Sequence, residues 1–263
     1  MMNKFLFAVA LLSFLGMTKA FSQTQTEQKK VEFNVGADLA SRYIWRGSQF
    51  GGNSPVIQPS VSLGIKGFEL GAWGSYTLSG DNRSQEMDLY LSYTCPSNMF
   101  TATVTDYYFP VEGQDYKYFD YKKNSTGHIF EGSLSFNGTE KFPVTILAAM
   151  NFYGADAISL NSDNTKKGIQ YSTYFELGYS FNVNDIALNT FVGFTPNTPE
   201  TANAATGFVG ETGFYGSKAG IVNLGLTGSK ELKITDSFTL PISASVITNP
   251  QAEKIFFVLG ISL

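Results

Sequence analysis

From Val31 to Leu39 the chain alternates without a break. Val31, Phe33, Val35, Ala37 and Leu39 are apolar, and Glu32, Asn34, Gly36 and Asp38 between them are small or polar. A period of two marks a strand with one face in an apolar environment. The pattern recurs over 57–65, 87–93, 130–136, 144–152, 171–181, 186–194, 222–228, 238–246 and 255–263, and less cleanly over 68–78 and 99–109. Twelve strands of about 9–11 residues are predicted, a length that crosses a bilayer when a strand is tilted. No later segment reaches the run of about 18 apolar residues that a transmembrane helix requires.

A soluble β-sandwich would alternate too, so the connections decide. Lys66-Gly67, Cys95 to Asn98, the turn at Asn137-Gly138 and Asn182 to Asp185 are short. The connections in between are mostly longer: 44–56, 110–127, 154–168 and 195–220, with 79–85 and 249–253 as shorter exceptions. Tight turns at one end and larger loops at the other are the habit of outer-membrane barrels. An even strand number puts both termini on the periplasmic side.

The start of the chain fits that destination. Lys4 precedes an apolar run from Phe5 to Met17, and small residues follow at Ala20 and Ser22, as in a cleaved export signal over 1–22. Residues 23–30 form a polar stub expected to be disordered, and 31–263 the barrel. Composition narrows the chemistry. Charged residues are 15% and aromatics 15% of the chain, which argues against intrinsic disorder. The net charge of −4 argues against a nucleic-acid binder. One Cys and one His exclude a disulfide framework and the usual His-rich metal centres. No cofactor and no catalytic activity are expected.

In this register Phe33, Val35, Leu39, Val61, Leu63, Leu89, Leu91, Leu134, Ile146, Phe175, Leu177, Leu188, Val192, Leu224, Leu226, Ile242, Phe257 and Leu259 meet lipid. Tyr43, Trp45, Tyr76, Tyr93, Tyr107, Tyr108, Phe109, Phe136, Tyr171 and Phe181 lie near strand ends and are read as interfacial girdles. Pro59 and Pro241 fall inside strands, where they cannot donate to a ladder. The interior holds Asp38, Asp88, Glu131 and Glu176 at mid-strand without a matching base. These acids either line a cation-preferring constriction or bond to Tyr90, Tyr174 and serine hydroxyls in a filled interior.

Ser41-Arg42-Tyr43-Ile44-Trp45-Arg46-Gly47, followed by Ser54-Pro55-Val56-Ile57-Gln58-Pro59, resembles the opening of the TorF-type porin family. Phe68 to Ser75, Glu86 to Tyr90, Asp106 to Pro110 and the strand around Glu131 extend the resemblance, in order, over 33–181. It implies an outer-membrane barrel and carries no substrate or mechanism. The cluster Arg42, Trp45, Arg46 and Gln58 gains interest from that match. Two guanidinium groups beside an aromatic grip an anionic or sugar-like solute near a pore mouth. The plainer reading pairs Arg42 with an interior carboxylate such as Asp38 and places Trp45 in the girdle.

Other candidates are weaker. His128 with Ser125 or Ser133 would suit a membrane lipid hydrolase, but no hydrolase motif surrounds them. Cys95 sits in a turn-like Cys-Pro-Ser-Asn and reads as a bystander thiol. Gly225 to Lys230 lacks phosphate-loop spacing. Asp81-Asn82 and Asp163-Asn164 suit turns better than Ca²⁺. The sequence thus predicts a twelve-stranded up-and-down barrel in the outer membrane, a porin-like channel for small polar solutes with mild cation preference. The alternative is a plugged barrel serving as a scaffold or surface-interaction protein. Expected partners are outer-membrane lipid, the barrel-assembly machinery during insertion, and the solutes themselves.

Overall fold

Alternation this regular needs a closed sheet in lipid, because an open edge leaves backbone groups unsatisfied there. The computed structural model describes residues 31–80, 84–110 and 117–263 and shows that closure. The expected export signal over 1–22, the stub over 23–30 and Asp81-Asn82 lie outside the described residues.

The strands are β1 (Glu32–Ala40), β2 (Tyr43–Trp45), β3 (Ser48–Phe50), β4 (Val56–Ile65), β5 (Phe68–Thr77), β6 (Gln85–Thr94), β7 (Phe100–Tyr108) and β8 (His128–Phe136). They continue as β9 (Val144–Gly154), β10 (Ile158–Leu160), β11 (Lys166–Ile169), β12 (Thr173–Val183), β13 (Ile186–Thr195), β14 (Gly220–Lys233), β15 (Thr239–Asn249) and β16 (Lys254–Ser262). Twelve of them form one antiparallel barrel in the order β1-β16-β15-β14-β13-β12-β9-β8-β7-β6-β5-β4. The seam closes through Asp38–Ser262, Leu39–Ile261 and Ala40–Gly260. Two short hairpins, β2–β3 and β10–β11, stand apart from the barrel sheet.

The faces follow the period of two. Leu177 lies between Ile146 of β9 and Val192 of β13 and is 49% exposed, whereas its neighbour Glu176 points inward. Phe33, Val35, Leu63, Leu91, Leu134 and Phe257 are likewise exposed. An exterior of large apolar side chains inverts the arrangement of a soluble protein and suits hydrocarbon. The two less regular strands also take a phase. In β5, Phe68, Leu70 and Tyr76 face out while Trp73 lines the lumen; in β7, Val104 faces out while Thr103, Thr105 and Tyr107 face in.

The prolines are accommodated at weak points of the ladder. Around Pro59 the pairing of β4 with β5 is interrupted between Ile57–Tyr76 and Ser60–Trp73. Pro241 pairs with Glu231 one residue before the β15–β16 ladder begins at Ile242–Ile261. Tight turns follow local chemistry as well. Lys66 and Gly67 both have positive φ, 49° and 85°, the geometry that suits a two-residue hairpin to strand twist.

Two expectations need correction. Tyr43, Trp45 and Tyr107 are not girdle residues: they are 7%, 3% and 2% exposed and pack together in the core cluster. The segment 44–56 is not a surface loop, since its hairpin turns into the barrel. Ring burial against other lumen aromatics outcompetes the interface for these side chains. Tyr76, Tyr93 and Tyr171 do stay exposed.

Candidate functional site

The β2–β3 hairpin reverses at Arg46-Gly47, where both residues take positive φ, 48° and 77°. That turn needs a residue without a Cβ at its second position, and space demands one too. A Cβ on Gly47 would fall 1.9 Å from the carbonyl oxygen of Val222 on β14, so the hairpin tip abuts the far wall. Asn249, at the end of β15, donates its side-chain N–H to the Gly47 carbonyl at 3.2 Å. The hairpin therefore crosses the lumen at the long-loop end.

Aromatic rings fill the space around it. Tyr43 packs on Phe50 and Trp73 at ring separations of 5.2 and 5.7 Å. Trp45 meets Tyr107 of β7 at 5.6 Å, and Phe214 and Tyr215 of the 195–220 connection at 6.1 and 5.9 Å. Such pairs add roughly 0.5–1.5 kcal/mol each beyond their buried area.

The Arg46 guanidinium sits at the centre of this plug, 4% exposed as a residue. It lies 4.7 Å from the ring of Trp45 and 4.6 Å from that of Tyr174 on β12. Its Nη2 donates to Oε1 of Glu131 at 2.9 Å, and its Nη1 donates to Oε2 of the same carboxylate. Nη1 also reaches the Tyr215 hydroxyl at 2.5 Å, and Tyr107 donates to Glu131 Oε1 at 3.1 Å. A bidentate pair with satisfied lone pairs is the arrangement that offsets the cost of desolvating two charges. Glu131 is therefore matched by a base, contrary to the expectation of an unmatched acid. Arg46 is spent on that match rather than offered at a mouth.

Between the hairpin and the short-turn end lie two cavities. One, of about 170 Å³, is lined by Asp38, Arg42, Gln58, Glu176 and Asn223 among others. The other, of about 110 Å³, touches Asp88, Tyr90, Thr105, Glu131 and Ser133. Trp73, Arg46 and Glu176 line both. Tyr174 donates to Glu176 at 2.5 Å and Tyr90 to Glu69 at 2.7 Å, so part of the interior acid is tied to tyrosine hydroxyls. Gln58 donates to Ser75 at 3.3 Å. Arg42 forms no ion pair with Asp38, which corrects the plainer reading of that residue. Glu86 and Asp88, both buried on the inner face of β6, lie beside Tyr43.

The structure thus gathers Asp38, Arg42, Arg46, Gln58 and Glu176 around one cavity and adds Asp88 and Glu131 at the next. Sequence reasoning missed Tyr107, Phe214 and Tyr215 as lumen residues. For Tyr107 the phase of β7 would have placed it; Phe214 and Tyr215 lie in an aperiodic connection with no local signal.

His128 stands outside this arrangement, on the outer face of the wall. Its Nδ1 lies 2.7 Å from Asp106, and its Nε2 lies 2.5 Å from the Tyr118 carbonyl oxygen, which can only accept. Tyr108 and Tyr121 flank its ring at 4.5 and 4.4 Å. Ser133 lines the lumen on the opposite side of the wall, and Ser125 bonds to Asp120, so the three side chains do not converge. Asp163 accepts from the Thr165 N–H and hydroxyl at 3.0 and 2.6 Å, and these bonds hold its carboxyl below the usual carboxylate range. That is turn chemistry.

A closed twelve-stranded barrel, apolar outside and polar within, defines a transmembrane β-barrel of outer-membrane type. Over residues 24–208 the chain matches Gcw_chp, described as a bacterial protein of unknown function, and it belongs to that family. No curated protein matches the chain. Among solved structures, a chain from "Unveiling the Mechanism Behind the in-meso Crystallization of Membrane Proteins" is similar at 6% identity and a TM-score of 0.41, covering 87% of this chain and 82% of that one. Wzi, an Escherichia coli outer-membrane protein described as a carbohydrate-binding β-barrel involved in group 1 capsule assembly, is similar at 11% identity and a TM-score of 0.31. That match covers 80% of this chain and 52% of Wzi.

Proposed function

We propose that the protein is an outer-membrane channel for small polar solutes, held closed by the β2–β3 hairpin, with its long connections outward and its termini toward the periplasm. The observation that carries this reading is the Arg46–Glu131 pair, which fixes a tethered hairpin across a lumen that is otherwise polar and cavitied. On this reading the hairpin, which closes the lumen together with Phe214 and Tyr215 of the 195–220 connection, has a second, withdrawn state, and biasing it toward that state opens the path. Asp38, Asp88 and Glu176 against Arg42 favour cations once the hairpin withdraws. The protein is assigned no catalytic step.

The test is conductance of the purified full chain in planar bilayers. The unaltered protein should open rarely, and Glu131→Gln should open more often, with a reversal potential of cationic sign across a salt gradient. Equal silence from both would overturn the gate. The second reading, a plugged scaffold, draws on the same aromatic packing around Trp45 and would then stand.

A further inference from the structure

We infer that the outer wall at β7–β9 carries a binding site for one anionic phospholipid, its phosphate at the loop end and an acyl chain along the strands below. The inference goes beyond the channel reading and holds whether or not the lumen conducts. Tyr108, His128 and Phe130 face outward at the loop ends of β7 and β8, and residues 118–121 lie against them. The Tyr121 ring stacks on His128 at 4.4 Å and meets Phe130 at 6.2 Å, and Tyr118 packs edge-on to Tyr108 at 5.2 Å. His128 Nε2 donates to the Tyr118 carbonyl at 2.5 Å, and Tyr153 of β9 donates its hydroxyl to the Tyr121 carbonyl at 2.6 Å. Three strands thus hold the segment to the wall. Beneath it Asp106 and His128 sit 2.7 Å apart on the lipid side, with side chains only 12% and 0% exposed. A polar pair facing hydrocarbon is costly unless it is covered, and the rings cover it.

The segment sets charge beside apolar surface. Phe119 is 88% exposed, and Lys117, Lys122 and Lys123 are exposed near it in the chain. None of these lysines forms an ion pair with a carboxylate among the described residues. Asp120, the single acid of 117–127, is engaged by the Lys122 N–H at 3.1 Å and by Ser125. At the rim of a membrane barrel, aromatic rings sit at the headgroups and lysine stems carry their ammonium groups into the polar layer. The acceptors at that height are lipid phosphates, which attract clustered lysines.

Below the segment the wall is hollowed. Tyr121, Phe130, Phe152 and Tyr153 frame a shallow pocket at the rim. Further down the same strands an apolar groove runs between Tyr93 of β6 and Phe175 of β12. Its low points are Ala102, Gly132 and Ala148, on the adjacent strands β7, β8 and β9. Gly132 joins pocket to groove: a Cβ there would meet only the Phe152 ring, at 3.7 Å. A chain lying in a groove finds partner atoms on several sides, which a flat wall does not supply. A groove in line with a basic rim therefore holds one tail in register with its phosphate. A second copy seated there about a two-fold axis would bring its own lysines to the same height, like charge against like.

Native mass spectrometry of the full chain released from detergent micelles tests the site. The probes are dipalmitoyl phosphatidylglycerol, dipalmitoyl phosphatidylcholine and glycerol phosphate, which keeps the charge without the tails. One phosphatidylglycerol should be retained about tenfold or more tightly than phosphatidylcholine, given about fivefold for each lysine near a charged lipid surface. Lys117→Gln, Lys122→Gln and Lys123→Gln together should abolish that preference. Lys66→Gln, Lys141→Gln and Lys233→Gln together, at the short-turn end, should leave it intact. Gly132→Leu, with Ala148→Phe as a second way to fill the groove, should weaken retention about fourfold or more, the factor for one methylene lost from contact. Each variant is compared where it keeps the gel mobility of a folded barrel. Equal retention of the two lipids, equal loss from both lysine triples, or indifference to both groove substitutions would overturn the site. So would glycerol phosphate bound as tightly as the lipid, or a dimer that excludes lipid. Retained phosphatidylglycerol in a protein silent in bilayers would overturn the channel and leave this site standing.

Discussion

Arg46 and Glu131 are 85 residues apart in the chain and meet as a two-pronged ion pair, 3% and 2% exposed, inside the barrel. The arginine belongs to a two-residue turn and the glutamate to a wall strand. Joining them converts a connection between strands into a bar across the lumen. Removing one partner leaves the other charge buried and uncompensated. Glu131→Gln should lower stability by about 3–5 kcal/mol, read as a shift in the urea midpoint of the folded band on gels. Arg46→Met combined with Glu131→Leu should recover most of that loss, because a packed apolar pair carries no desolvation penalty. A double replacement as damaging as the single one would show that the charges are not the source of the cost.

The outer wall makes a separate demand. Leu177, flanked by Ile146 and Val192 at mid-strand, faces lipid, so Leu177→Arg should cost roughly 2–4 kcal/mol, the penalty for a charge near the bilayer midplane. Glu176→Gln keeps an acceptor for Tyr174 and should fold and insert normally. Reversal of these two outcomes would mean that the faces are exchanged by a one-residue slip.

Sidedness can be read from the single cysteine. Cys95 lies in the turn between β6 and β7, its thiol held below the usual range by hydrogen bonds from Ser97 and the Phe100 N–H. A membrane-impermeant maleimide should leave Cys95 unlabelled in intact cells and label it after the outer membrane is opened. With Cys95→Ser as background, Ala204→Cys in the 195–220 connection should label in intact cells. Labelling of Cys95 before permeabilisation would place the short turns outside.

The turn after β12 gives a pH dependence with a definite sign. The Lys230 ammonium, 2.7 Å from Asp185, holds that exposed carboxyl below the usual range. A carboxyl depressed in the folded state contributes stability above its unfolded value of about 3.9, and the contribution fades as pH falls through the lower folded value. Carboxyl NMR should find Asp185 titrating higher in Lys230→Gln. The stabilities of the two proteins should converge in strong acid. A gap that widens as the pH drops would contradict the pairing.

Most of the barrel was legible because a strand writes its environment locally. Phe33, Val35 and Leu177 are apolar since each faces lipid whatever the rest of the chain does, and Asp38, Glu131 and Glu176 alternate with that face. Strand count and the faces of the ten regular strands follow from this period, and the sequence alone was enough to determine them; the phase of β5 and β7 came from the barrel. The hairpin was not legible. β2 and β3 are three residues each, too short to show a period, and Trp45 near a strand end reads the same in a girdle as in a plug. Arg46 finds Glu131 at a separation of 85 and Tyr215 at 169, and no local pattern encodes contacts that distant. Only the closed barrel decided that the hairpin turns inward, because it alone brings β8, β12 and the 195–220 connection within reach of one guanidinium, and burial among those rings satisfies a charge that lipid would reject.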